Sequence, residues 1–415
     1  MHTYLIRYER NRGSLFRLLL IVLLFVTFPS CSKKSDEAGK EKDDPCANAI
    51  GNGNEIIPGP AGPEGGDYDQ VFRSLEADPS NAEVLYMGTE RNGIVKTIDG
   101  GVTWQRLRKG MRHSATTYPE VWDIAVSPSN PQLVVAATAD SPGPITGDYP
   151  SSNAGVYLSS DAGGTWKRSD CGLKNSYALC VRFNPRDPGT IVLGIGMGKS
   201  TFSALLGQSF DGSLMHSNDN SLNWIASATP TGADKNVFWV LRPYGSGTGG
   251  FITFGLNINE PSENLGFLRS EDGGLHWNTF APSLRSRLIA TFDVSTNGQI
   301  LYAIERDAFS ILKSINNGSS WDELTIPANG PVRISPSDNE VVLFCEGEKV
   351  FRSVNGLQSY DLVLTAMDRV DDIEFAPSKP SQVFLATKSY HIYKSTDSGL
   401  TWSHLINLRS AGILK

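Results

Sequence analysis

One eight-residue phrase recurs seven times in this 415-residue chain, and its spacing constrains the fold more than any other feature. It reads TIDGGVTW from Thr97, SSDAGGTW from Ser159, SNDNSLNW from Ser217 and SEDGGLHW from Ser270. It continues as SINNGSSW from Ser314, SVNGLQSY from Ser353 and STDSGLTW from Ser395. The intervals are 62, 58, 53, 44, 39 and 42 residues. Self-similarity at this period, without helical patterning, marks propeller blades. Each unit keeps one internal order, seen in the second as VWDIAVSP, a turn (SNPQ), LVVAATAD, an insertion, GVYLSS, the phrase and TWKRS. That is four short strands, A to D, separated by turn residues. B strands such as VLYMGT, LVVAATA and VFLAT are apolar on both faces, as a sheet covered on each side by a neighbouring blade requires. The expectation is an all-β fold: a seven-bladed β-propeller of four-stranded antiparallel blades over 67–415.

The phrase falls between strands C and D, where it makes a hairpin turn. Short Ser, Thr and Asp side chains accept backbone amide bonds across such turns, and Gly supplies a left-handed position. The closing aromatic then enters the apolar seam between blades. The turn and seam residues are Asp99 and Trp104, Asp161 and Trp166, Asp219 and Trp224, and Asp272 and Trp277. The later blades give Asn316 and Trp321, Asn355 and Tyr360, and Asp397 and Trp402.

SSDAGGTW and STDSGLTW resemble the Asp-box, or BNR repeat, of bacterial sialidases, sortilin-type receptors, xyloglucanases and photosystem-II assembly factors. With SPSNP ahead of a B strand, the chain is most similar to the sortilin and assembly-factor branch. The resemblance covers 68–410 and implies a fold more than an activity, because in these families the Asp-box is structural. A sialidase carries an early Phe/Tyr-Arg-Ile-Pro motif and six blades; here VFRSLEA (71–77) and VRISP (332–336) both miss the pattern. A xyloglucanase of this class sets two propellers about a cleft, with one Asp from each. Glycosidase chemistry needs paired carboxylates. Glu305/Asp307, Glu346/Glu348 and Asp371/Asp372 all offer pairs, with nothing in the sequence to choose among them.

The N-terminus reads as an address. Arg7, Arg10, Arg12 and Arg17 precede an apolar run at 18–28, too short to span a bilayer, and the run ends in FPSC. This resembles a bacterial lipoprotein signal over 1–30, with Cys31 lipidated and the protein held at the outer membrane, facing the periplasm or the outside. Residues 31–66 are polar and rich in Gly and Pro, a disordered tether. The leader carries four arginines against Glu9, so its removal takes the net charge from −7 to −10. A nucleic-acid partner is thereby disfavoured.

Other motifs give no chemistry. GIGMGKST (194–201) is one residue short of a phosphate-binding loop, and GSGTGG (245–250) leads into a strand instead of a helix. The six histidines show no metal spacing, so neither metal nor cofactor is expected. Cys171 and Cys180 bracket a short loop and are the disulfide candidates; Cys345 reads as a buried thiol, and the state of Cys46 is open.

Loop length carries the remaining signal. A–B turns are short throughout, whereas the B–C and D–A segments of blades 1 to 4 are long, at 108–123, 140–155, 197–212 and 257–266. Long loops on a rigid scaffold are where binding usually resides. Recognition is expected on that face, through Arg112, His113, Tyr118, Trp122, Asp123 and Tyr149. The functional expectation is a monomeric, lipid-anchored, non-catalytic binding or assembly-scaffold module for an envelope protein or glycan. The alternative is a glycan-active hydrolase.

Overall fold

The structure, a computed structural model, describes residues 72–414 except 91, 114–117, 140–153, 174–176, 197–211, 246–248 and 258–259. The leader, the tether, Cys31, Cys46 and Tyr149 lie outside the described residues, as do the greater parts of the 140–155 and 197–212 insertions. Twenty-eight strands form seven four-stranded antiparallel sheets, each in the order of the chain. The blades span 72–107, 120–168, 178–226, 241–279, 289–324, 332–365 and 370–407. Strand A of each blade touches strand A of the next, and blade 7 touches blade 1, which makes a ring. The fold is a seven-bladed β-propeller.

Every blade is one contiguous stretch of chain, so no strand is exchanged at the point where the ring closes. Side chains make the closure instead. Asp372 Oδ2 on blade 7 accepts the amide of Leu75 on blade 1 at 3.2 Å. The Gln382 amide donates to the Ala82 carbonyl at 2.7 Å, and Lys394 pairs with Glu83 at 2.9 Å. After strand D of blade 7 the chain turns back, burying Leu408 and Leu414 in the seam with Leu75, Val95 and Trp104.

Seven buried apolar clusters sit at the seven seams, each drawn mainly from two neighbouring blades. The turn aromatics stand in them. Trp104, Trp166, Trp224 and Trp277 are buried, and Trp321 and Trp402 pack against their clusters from a half-buried position. Tyr360 is 38% exposed and meets Phe344 and Phe351 edge-on.

The turns share one bonding scheme. In the first, the Gly101 amide donates to Thr97 Oγ1 at 2.9 Å and the Thr103 amide to Asp99 Oδ1 at 2.9 Å. The Trp104 indole closes the turn on the Gly101 carbonyl at 3.0 Å, and the Trp277, Trp321 and Trp402 indoles do the same in their turns. The Trp224 indole instead donates to the Ser169 carbonyl, and the Trp166 indole nitrogen is buried without a partner. Asn316 and Asn355 take the aspartate's place through their amide oxygens. The turn differs from expectation in having two consecutive left-handed residues, not one. Non-glycine residues occupy one or both positions in five of the seven, among them Asn220 with Ser221, and Leu357 at φ 67°. The Asp and Ser bonds hold this conformation with or without glycine, which explains why the glycines of the phrase vary.

The predicted Cys171–Cys180 bridge is corrected. Cys171 is disulfide-bonded, but Cys180 is a free thiol. Strand A of blade 3 turns Cys180 into the seam with blade 4, where its Sγ meets the Phe238 carbonyl at 3.1 Å. Cys171 lies beyond strand D of blade 2, its carbonyl accepting the Trp224 amide. Cys345 is a fully buried free thiol.

Candidate functional site

The A strands carry charged side chains into the central channel, where water cannot fully solvate them. Such groups persist only when paired and hydrogen-bonded. Arg182 on blade 3 pairs with Asp123 on blade 2 at 2.6 Å, and Asp123 also accepts the Val181 amide at 3.0 Å. Arg242 on blade 4 faces Asp293 on blade 5 at 3.5 Å, and Asp293 accepts the Ile334 amide of blade 6 at 2.8 Å. Arg333 on blade 6 binds Asp372 on blade 7. Three aspartates thus stitch neighbouring A strands together, each satisfying a backbone amide of another blade and an arginine.

Two further channel carboxyls, Glu76 on blade 1 and Glu374 on blade 7, have no such arginine bond. Burial raises the Glu76 carboxyl to about 7, against the pull of Arg182 and with the help of Asp123. Glu374 is also raised by burial, with Glu76 the next cause.

Above this belt the channel widens into a cavity of about 710 Å³. Its wall includes Trp122, Asp371 and Ile289 from the starts of A strands, Trp239 and Asn329 from D–A segments, and Arg306 and Phe309 from a B–C segment. The cavity therefore opens on the B–C/D–A face. Phe309 is 54% exposed and sits at φ 49°, a costly conformation for a bulky side chain and one that tends to mark functional positions.

Three carboxylates line the cavity: Asp123, Asp371 and Asp372. Asp123 and Asp372 are committed to the belt through both oxygens. Asp371 differs. Its Oδ1 is held by Arg369, with Nη2 at 2.6 Å and Nε at 2.8 Å, while Oδ2 is buried and meets no donor. Burial pushes its carboxyl above the ordinary aspartate range despite Arg369. A carboxyl with one anchored oxygen and one free oxygen is built to carry a proton. Among the described residues no group of three His, Cys, Asp or Glu converges as a metal site.

Of the residues singled out from sequence, the structure brings Trp122 and Asp123 to the cavity. Trp122 stands in the wall, its indole 3.1 Å from Glu120 Oε2, whereas Asp123 belongs to the belt. Tyr118 is buried in the seam of blades 1 and 2 under the Arg108 guanidinium. His113 packs on Tyr118, and the Arg112 amide meets the Tyr157 hydroxyl, both away from the cavity wall. Sequence reasoning missed Trp239, Phe309 and Arg369, and left Asp371 as one member of one acidic pair. The signal for Asp371 was its position at the start of an A strand, two residues before Ile373.

No family model matches the sequence. Among curated proteins it is 24% identical over 383 residues to the xyloglucanase Xgh74A of Acetivibrio thermocellus, covering 86% of this chain. It is 32% identical over 102 residues to a xyloglucanase of Hypocrea jecorina, covering 22% of the chain. The chain spans 39% of the length of the Acetivibrio protein. Among solved structures, YCF48 from Cyanidioschyzon merolae superposes with a TM-score of 0.52 at 14% identity, over 80% of this chain and 94% of that one, a likeness of fold alone. The GH74 xyloglucanase from Xanthomonas campestris gives 0.41 at 13% identity, over 83% and 68%. The expectation of a non-catalytic scaffold is corrected by the curated relative that aligns over 86% of this chain, which is a xyloglucanase.

Proposed function

We propose that the propeller is a glycan-active hydrolase domain of the xyloglucanase type, with polysaccharide lying across the cavity on the B–C/D–A face. The observation that carries the reading is Asp371: alone among the carboxylates of the cavity wall, it keeps an oxygen, buried in this structure, that no protein donor occupies. Trp122, Trp239 and Phe309 supply flat apolar surfaces against which sugar rings stack, and Asn329 and Arg306 supply hydrogen bonds to hydroxyls. Burial favours the protonated form of Asp371, suited to protonating a leaving glycosidic oxygen.

The chemistry requires a second carboxylate, and Asp123 and Asp372 are both saturated. In the two-propeller arrangement that the xyloglucanase resemblance implies, it faces Asp371 from a second propeller, and that pairing is part of the proposal. The seven turns are read as Asp-boxes, structural and remote from the chemistry. Lipidation at Cys31 would hold the domain at the cell envelope, where polysaccharide is met; a Cys31→Ala form that still fractionates with membranes would remove that element.

The test is affinity electrophoresis and reducing-end release with xyloglucan. The full chain is expected to be retarded and, paired with the second propeller, to cut; Asp371→Asn in the same pairing should be retarded without cutting. A wild-type chain that is neither retarded by any soluble polysaccharide nor able to cut one overturns the reading.

A further inference from the structure

Beside the main cavity a second recess of about 430 Å³ is lined by Asp368, Arg369, Lys388, Ser389 and Arg409. It is built from the D–A segment entering blade 7, the B–C turn of blade 7 and the chain beyond its last strand. Arg369 lines both spaces, so the recess continues the cavity along the same face. Three cations gather there in a chain whose formal net charge is −7.

The one carboxylate of the recess is engaged through Oδ2, while its Oδ1 is buried with no hydrogen-bond donor. Asp368 Oδ2 accepts the Ser389 amide at 3.0 Å and the Thr387 hydroxyl at 3.3 Å. Arg369 is held by Asp371. Lys388 and Arg409 form no ion pair with any carboxylate of the described residues, and the Arg409 Nε is buried without a hydrogen-bond partner. Nor is either side chain carried on a loose segment. The Lys388 amide donates to the Arg369 carbonyl at 2.9 Å, tying the turn to the adjoining segment. Tyr390, fully buried at φ 66°, anchors the same turn, and the Arg409 guanidinium lies 5.4 Å from its ring centre. The recess thus presents surplus cationic donors from backbone that is held in place, next to a cavity shaped for sugar.

Resting on the reading of that cavity as a glycan site, we infer that the Lys388–Arg409 recess binds an anionic substituent of the glycan, the carboxylate of a uronic acid or a sulfate ester. Guanidinium and ammonium groups recognise both anions through charge-assisted hydrogen bonds. The preferred substrate would then be an acidic polysaccharide or one with acidic branches. The protein's own negative charge opposes such a ligand at long range, so any preference for it must come from local contacts.

The experiment is affinity electrophoresis of the full chain at fixed ionic strength against xyloglucan, a glucuronoxylan and a sulfated galactan. Lys388→Ala, Lys388→Glu and Arg409→Ala serve as variants, with melting temperatures confirming that they fold. The expected result is tighter binding of one acidic glycan than of xyloglucan. Each alanine variant should lose about tenfold in affinity for it, as one charged hydrogen bond predicts, with xyloglucan binding unchanged. Preference for the glucuronoxylan identifies the carboxylate, and preference for the sulfated galactan the sulfate ester. Equal binding of xyloglucan and both acidic glycans, insensitive to the variants, overturns this inference and leaves the glycan reading standing. Failure to bind all three overturns both.

Discussion

Asp372 on the last blade accepts the amide of Leu75 on the first at 3.2 Å, across 297 positions of sequence, while its other oxygen binds Arg333 of blade 6. One side chain therefore joins three blades. Asp372→Ala breaks both contacts and leaves Arg333 buried without its carboxylate, a loss of about 3–5 kcal/mol. Thermal melting checks this, with Asp371→Ala as the neighbouring control that should scarcely move the midpoint.

Asp371→Asn should abolish glycan cleavage by the active assembly and leave polysaccharide binding within about twofold, since the amide keeps the shape and the Arg369 contact but cannot cycle a proton. Cleavage rates and affinity electrophoresis together separate this from a folding defect. An Asp371→Asn protein that still cuts at the wild-type rate would move the acid elsewhere.

Stability should fall as pH rises from about 4.5 to 7. The folded chain keeps a proton on Glu76 up to about 7, whereas the unfolded chain releases it near 4.5, so the folded state binds more protons in that window. Glu374 is raised in the same direction. Above the window the loss is complete, on the order of 3 kcal/mol from Glu76. Glu76→Gln should flatten the urea-denaturation midpoint between these pH values; an unchanged slope in this variant and in Glu374→Gln would refute the assignment.

Trp166→Ala should cost about 3–5 kcal/mol, because the indole is 2% exposed in the seam of blades 1 and 2. Tyr360→Ala should cost well under half of that, since its ring is 38% exposed. Equal losses would show that the two turns are not packed as described.

Phe309→Gly should leave the melting temperature unchanged or raise it, by freeing a left-handed position from a bulky side chain. The same change removes an aromatic surface from the cavity rim, so xyloglucan retardation should weaken. A fall in stability with full binding would make Phe309 a structural residue.

How much of this was legible in the sequence depended on periodicity. The recurring phrase marks every C–D turn, so blade number and strand order follow from its intervals. The long loops lie on the side of the ring where the cavity opens, and Trp122 of its wall was among the residues singled out from them. Yet Arg306, Phe309, Asn329, Arg369 and Asp371 come from blades 5 to 7, whose connections are short. Length shows where a chain has been elaborated; position at the start of an A strand decides which side chains converge on the axis. The Cys171 and Cys180 spacing suggested a loop because it was counted without the pleat, and strand A turned one sulfur into a seam. The commitment of Asp372 beside the freedom of Asp371 was invisible, since it depends on blades 1 and 6 arriving at blade 7.

That each blade is contiguous has a consequence for how the chain can be cut. Where a propeller closes by lending a strand to its first blade, moving the termini orphans that strand. Here every link between blades is equivalent in this respect, and ring closure between blades 7 and 1 is the one step that joins the most distant parts of the sequence. Joining the end of the tail to the start of blade 1 and opening the chain between blades 4 and 5, at 280–288, should give a circular permutant with the same seven seams. Its slow, long-range closing event would then fall between blades 4 and 5, so that the seam formed last in folding is chosen by where the chain is opened.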